Sequence, residues 1–268
     1  MSTVALLTDF GTRDGYVAEM KGVLVGMNPE ASIIDLTHDI PAQDIRHGAW
    51  VLERVVGRFP ADTIHVAVVD PGVGTTRRPM VVQHETGIYI GPDNGLLSAV
   101  LSGNGVSSVC DISNPDIVAN VVSQTFHGRD VFAPAAAHAS LGADPKTFGI
   151  PVSDPIILDR WETEVTSEGV TGAVVHVDGF GNAITNIEKR LLDGRQVDRV
   201  AVGGSEFLCV SDTYADVTEG EGVVLVGSQN TLEISVNGGD ASKALGIERG
   251  MVVTVGFHPA DVNRPSAS

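Results

Sequence analysis

The stretch Ile64-His-Val-Ala-Val-Val-Asp70-Pro-Gly-Val-Gly-Thr-Thr-Arg77-Arg78 decides how this chain is read. Its first half, Ile64 to Val69, is a continuous strand-type run of the kind that parallel sheets bury on both faces. The run stops on Asp70, Pro71 and Gly72, and two glycines carry a loop to Arg77 and Arg78. A carboxylate at the carboxyl end of a buried strand, followed by a Gly-rich loop, is how open α/β sheets build ligand sites. A buried acid needs a partner, and both arginines lie within loop reach. A plainer reading stands beside it: a structural ion pair that supports the turn.

Outward from this stretch, strand and helix signals alternate. Val4 to Thr8 reads as a buried strand that ends at Asp9, and Val17, Met20, Leu24 and Met27 then recur at helical spacing up to Asn28-Pro29. Ser32 to Leu36 is the next strand, and Asp44 is placed to cap a helix with Ile45, Ala49 and Leu52 on its inner face. Met80–Gln83 and Gly87–Ile90 follow as strands, Leu96–Leu101 and the alanine-rich Phe132–Leu141 as helices, the latter with Pro134 in its first turn. Strands separated by helices of this length predict an α/β domain with a mainly parallel sheet between helices, over residues 1–155.

The texture changes after Gly142. Residues 143–161 carry three prolines and read as a linker. Beyond it come short strands (Val170–Val177, Ala183–Ile187, Arg199–Val202, Val223–Val226, Leu232–Val236, Met251–Val255) between glycine-rich turns. That pattern predicts a small all-β, barrel-like domain over residues 156–268.

Composition narrows the function classes. The formal charge is −17, which argues against nucleic acid as a partner because phosphate contacts need a basic face. The excess acid fits an ordinary soluble protein, or one kept soluble in a saline cytoplasm. No apolar run approaches the ~18 residues of a membrane span. A strand begins at Val4 with no basic leader before it, so a cytoplasmic location is expected. Cys110 and Cys209 are far apart and are read as buried free thiols. No P-loop, dinucleotide glycine fingerprint, nucleophile elbow or zinc motif occurs, and His38, Asp39 and His65 are not spaced as metal ligands.

Four strand or loop ends carry polar clusters that regular structure does not require. Asp9 fits either an acceptor for two vicinal hydroxyls, such as a ribose diol, or a turn cap. Asp70 with Arg77 and Arg78 is the second cluster. In the third, TFHGRD, His127 and Gly128 stand at the start of the alanine-rich helix; His127 is either a proton-handling group or an ordinary satisfied histidine. The fourth, VDGFGNAITNI, carries Asp178, Phe180, Asn182 and Asn186; the aromatic and the two asparagines can stack on and hydrogen-bond a base, or the asparagines simply fill tight turns.

TDFG, THDIPAQDI, VVDPGVGT with Arg77, IGPDNG, TFHGRD and FGNAITN occur in one order along nearly the whole chain. Together they closely resemble the S-adenosylmethionine (SAM) hydroxide adenosyltransferases, or SAM hydrolases, relatives of enzymes that attack the same substrate with halide. The resemblance implies attack of water at C5′ of SAM to give adenosine and methionine, with no cofactor and no metal. It assigns water activation to Asp70, Arg77 and His127. A histidine can take a proton while a guanidinium stabilises hydroxide character. The intact set, with Gly128 after His127, favours hydroxide over chloride. A SAM chlorinase and a non-catalytic adenosine- or SAM-binding sensor are the alternatives. The resemblance makes Asp9 the ribose-diol acid and places Gln43 where the halogenating relatives put a tryptophan. Phe180 and Asn182 resemble adenine contacts, Tyr214 an adenine-stacking ring, Asp178 the acid for the methionine amine, and Ser228 a methionine-carboxylate contact. It also implies a homotrimer whose sites lie between the N-terminal domain of one subunit and the β domain of the next. Arg78 is left as structural.

Overall fold

The computed structural model describes residues 2–259, so residues 260–268 of the expected second domain lie outside them. The chain divides into two compact units, Met1–Leu158 and Asp159–Ser268.

The first unit holds strands β1 (Thr3–Thr8), β2 (Ser32–Thr37), β3 (Ile64–Val68), β4 (Pro79–His84), β5 (Gly87–Pro92) and β6 (Val106–Asp111). Its helices are α1 (Tyr16–Met27), α2 (Ile45–Val55), α3 (Ser98–Leu101) and α4 (Ala133–Ser140). The strand order is β2-β1-β3-β5-β4-β6, with β1 parallel to both neighbours and β3 parallel to β5. β4 is antiparallel to β5 and to β6, so the sheet is mixed. The cause is local: only Glu85 and Thr86 join β4 to β5, and a parallel crossover needs about a dozen residues. Asp44 caps α2 as expected, accepting from the His47 amide at 2.9 Å.

Alternate residues of the central strands serve two cores. Val4, Leu6, Val66 and Val68 pack with Met20 and Leu24 of α1 and the alanines of α4. Leu7, Ala67 and Val69 pack with Leu52 of α2 and with Leu96, Leu97 and Val100. The chain leaves β1 through α1 to one side and returns through α2 to the other. The sheet's direction of winding therefore reverses at β1/β3, and open α/β sheets place ligands outside the carboxyl ends of strands at such a point.

The proline-rich stretch is not a free linker. Phe148 is fully buried in the first core, and the Ile150 carbonyl and Val152 amide pair with β6 at Asp111 and Val109, each at 2.9 Å. It covers the sheet edge that Val106–Asp111 would otherwise expose.

The second unit holds β7 (Glu164–Val165), β8 (Gly169–Val177), β9 (Ala183–Glu188), β10 (Val197–Val202), β11 (Ser205–Phe207), β12 (Gly222–Val226), β13 (Thr231–Val236) and β14 (Val252–Phe257), with a short helix α5 (Ala241–Ala244). All neighbours in the order β11-β10-β14-β8-β9-β13-β12 are antiparallel, and β7 flanks β8. Just past β11, the Ser211 amide donates to the Val224 carbonyl of β12 at 2.7 Å, so the sheet nearly closes into a barrel. Val174, Ala183, Val200, Leu232, Ile234 and Val255 fill its core. Cys110 is buried, but Cys209 is exposed, against expectation; it follows the short β11 outside that core.

Candidate active site

β1 and β3 are adjacent and in register at Thr8 and Val68, so Asp9 and Asp70 emerge side by side at their carboxyl ends. Asn94, in the loop after β5, braces that end by donating its Nδ2 to the Val69 carbonyl at 2.9 Å. The Asp70–Arg77 loop turns tightly, with the Val73 and Thr75 amides donating to Asp70 and Gly72 carbonyls. Gly74 has φ +75°, and a Cβ there would sit 2.3 Å from the Gln124 carbonyl oxygen. Only glycine lets this loop lie against the segment that carries His127.

The result is a connected set. Arg77 donates from Nε to Asp70 Oδ1 at 3.0 Å and from Nη2 to Asp70 Oδ2, and Nη2 also lies 2.9 Å from His127 Nδ1. Both partners of the ion pair are almost fully buried, with side-chain exposures of 8% for Arg77 and 5% for Asp70. The guanidinium stacks over Phe132 at 5.3 Å. A guanidinium only donates, so His127 Nδ1 accepts, and the neutral ring carries its proton on Nε2. Burial and the Arg77 charge hold the His127 pKa below its ordinary value, which keeps the ring neutral. Arg77 Nη1 is buried without a hydrogen-bond partner among the described residues. An unmet charged donor of this kind is costly unless something fills the place opposite it.

His127 precedes a π-helical turn, Gly128–Phe132, that leads into α4. Arg129 grips Asp130 through Nε and Nη2, and Asp130 in turn accepts the Ser123 amide at 2.8 Å, which fixes the approach to His127. The aromatic rings of Phe10, Tyr16 and Phe126 pack edge to face with centroids 5.2–6.1 Å apart. This cluster draws the Asp9 turn and the His127 turn together, since Phe10 follows Asp9 and Phe126 precedes His127. Gly128 is buried and its α-carbon faces Phe126, Phe10 and Met20, so its smallness serves that packing. Asp9 accepts the Gln43 amide at 2.8 Å. Burial, with a contribution from the Asp70 charge, raises its pKa, while the Gln43 amide opposes the rise. Gln43 itself is exposed and has φ +66°.

In the second unit, Asp178 Oδ1 accepts the Phe180 and Asn182 amides, each at 2.9 Å, and Oδ2 accepts Asn182 Nδ2 at 3.0 Å. The turn is closed through Gly181, where φ is +86° and a Cβ would strike Asp240. Phe180 projects from it with 81% exposure. Tyr214 donates its hydroxyl to Glu233 Oε1 at 2.6 Å, which pushes the phenol up to about 12, and Asp178 is near enough to add to that shift. Ser228 is exposed in the turn between β12 and β13; the α-carbon of the neighbouring Gly227 packs against the Glu233 carboxylate.

A family profile described as the SAM hydroxide adenosyltransferase N-terminal domain matches residues 4–149, and its C-terminal counterpart matches residues 172–254. The chain belongs to this family. Proteins named (R)-S-adenosyl-L-methionine hydrolase from Salinispora arenicola and Thermus thermophilus are each 40% identical to it, over 92% and 94% of the chain and 95% and 99% of their own lengths. A solved structure from Thermotoga maritima, titled only as an uncharacterised conserved protein, superposes with a TM-score of 0.88 at 38% identity, covering 94% of this chain and 99% of that one.

Of the residues singled out in the sequence, the first unit brings Asp9, Gln43, Asp70, Arg77 and His127 to one end of its sheet. The second gathers Asp178, Phe180 and Asn182 in one turn within electrostatic reach of Tyr214. Arg78 turns away from Asp70: its Nε bonds Asp93 at 2.9 Å and its Nη1 bonds Asp154 at 2.7 Å. Glu233 was invisible to the sequence reading. The alternation in Thr231–Val236 puts it opposite the apolar set, where solvent is expected, yet it is buried and holds both Tyr214 and Ser235. Among the described residues no three His, Cys, Asp or Glu side chains form a metal-type group.

Proposed function

We propose that the protein hydrolyses SAM to adenosine and L-methionine, with Asp70, Arg77 and His127 as its hydroxide-stabilising set. The observation that carries this reading is the buried, unpartnered Nη1 of Arg77 beside an arginine–histidine contact. An oxygen placed there receives charge-assisted donation from a group already locked by Asp70, at no reorganisation cost when charge develops. Water attacks C5′, the C5′–S bond breaks, and its electron pair leaves on sulfur, which becomes the neutral thioether of methionine. The proton lost by water passes to solvent. His127 supports the oxygen as a hydrogen-bond donor in this reading, because its one free lone pair is committed to Arg77. Accepting the proton would require that contact to open.

Asp9 holds the ribose diol, and Gln43 acts beside it. Phe180, Asn182 and Tyr214 contact adenine, Asp178 the methionine amine, and Ser228 the carboxylate, while Gly128 keeps the His127 turn close-packed. The reaction needs no cofactor, the protein works in the cytoplasm, and it assembles as a homotrimer with sites shared between subunits. Light scattering tests the trimer, and an unchanged rate with a chelator is expected. Among the described residues no helix is long and apolar enough to cross a membrane. The test of the chemistry is His127→Ala and Arg77→Ala assayed with SAM. Each is expected to lower turnover about 100-fold or more, with adenosine affinity nearly unchanged. Wild-type turnover in both variants sinks the water-activation reading.

A further inference from the structure

We propose that the Thr37–Gln43 loop, pivoting on His38, is a positioning device for Asp9; this rests on the reading of Asp9 as the acid for a ribose diol. His38 is a polar residue with 4% exposure, bound on three sides. Its carbonyl accepts the Gly11 amide at 2.8 Å. Its Nδ1 lies 2.8 Å from Thr8 Oγ1, and its Nε2 lies 3.0 Å from Asp35 Oδ1, off the line of an ideal hydrogen bond. Asp35 is held in turn by Lys21 at 2.6 Å.

The proton positions follow from what each group can do. A carboxylate only accepts, so the proton of a neutral His38 ring lies on Nε2, toward Asp35. Nδ1 then accepts from the Thr8 hydroxyl, whose oxygen accepts the Phe10 amide at 3.2 Å. The chain Phe10 amide to Thr8 to His38 to Asp35 therefore fixes the backbone on both sides of Asp9. It has the outline of a hydroxyl–imidazole–carboxylate nucleophile, but Thr8 is fully buried and meets no substrate. At the loop's far end, Gln43 takes φ +66°, a left-handed conformation that strains a non-glycine residue. That strained backbone aims its amide at Asp9 Oδ2 at 2.8 Å. Asp9 is thus clamped through its flanking backbone by His38 and through its carboxylate by Gln43. A carboxylate has about four acceptor sites, so both oxygens keep capacity for a diol. Gln43 acts through its backbone amide, at the position where the resemblance puts a tryptophan in the halogenating relatives.

Calorimetric titration of the full chain with adenosine and 2′-deoxyadenosine tests this, with thermal unfolding as a check on the fold. Wild type should bind adenosine about tenfold or more tightly than the deoxy analogue, and Asp9→Asn should erase the difference. Thr8→Val and His38→Asn should weaken adenosine about tenfold and leave the deoxynucleoside unchanged, whereas Thr8→Ser keeps the wild-type ratio. Gln43→Gly, which keeps the amide, should also keep the ratio. A wild type that does not discriminate overturns the diol reading of Asp9 itself. Discrimination that survives in Thr8→Val, or both nucleosides weakened equally there, overturns the positioning role alone. If His38→Asn does not fold, the near-isosteric Thr8 pair decides.

Discussion

His65 gives this protein a calculable acid sensitivity. It lies in β3 with 1% exposure, its ring stacked on Tyr89 at 4.7 Å and met edge-on by Phe59 at 5.5 Å. Neither ring nitrogen has a hydrogen-bond partner among the described residues. Burial lowers its pKa from 6.5 to about 4. Between those values the unfolded chain binds the proton and the folded one does not, so stability falls as pH drops through 6.5 and levels off below 4. The loss from this one group is about 2 kcal/mol at pH 5 and about 3 kcal/mol at pH 4, relative to pH 7.5. His65→Phe keeps the stack and removes the titration. Urea unfolding of both proteins at pH 7.5 and pH 5 isolates the effect, because every carboxylate is common to the two. The variant should lose about 2 kcal/mol less than wild type over that interval. Parallel losses would refute the assignment of a neutral, unpartnered His65.

Tyr214→Phe deprives the buried Glu233 of a charge-assisted donor and should cost about 1.5–3 kcal/mol in urea unfolding; a change below about 0.5 kcal/mol, the size of an ordinary surface substitution, contradicts a structural role for that bond. A maleimide should label one thiol rapidly, Cys209, while Cys110, buried and with its pKa raised by that burial, reacts only on unfolding; peptide mapping that finds both labelled at once contradicts the packing described. Arg77→Lys keeps a charge but loses the fork that engages Asp70 and His127 together, so turnover should fall about 100-fold while the protein stays folded. Turnover within threefold of wild type shows that the fork is not needed.

The first unit, with helices on both faces of its sheet, and the antiparallel second one were legible because strand and helix periods differ and the central strands are apolar on both faces. The mixed character of the first sheet was not. It depends on a two-residue turn at Glu85–Thr86 between strands that periodicity alone cannot orient. Prolines near residue 150 signalled a linker, yet the same residues lack nothing needed to cover an edge strand, and Phe148 anchors them. In the site, a carboxylate at a strand end followed by glycines was enough to single out Asp70 with the pair Arg77 and Arg78, and the choice of Arg77 came from resemblance. The partner of Arg77, fifty positions away, came from resemblance, since spacing does not report a contact made through a loop held by Gly74. Glu233 and His38 escaped because burial of a polar side chain depends on tertiary neighbours that no local pattern encodes.

The most direct measurement is the fate of SAM in ¹⁸O-enriched water, with and without molar chloride, followed by mass spectrometry of the nucleoside product. Hydroxide transfer by the Asp70–Arg77–His127 set predicts adenosine carrying ¹⁸O at its 5′ position under both conditions, with methionine released in equal amount. Unlabelled adenosine, 5′-chloro-5′-deoxyadenosine, or bound SAM that is never turned over would contradict it.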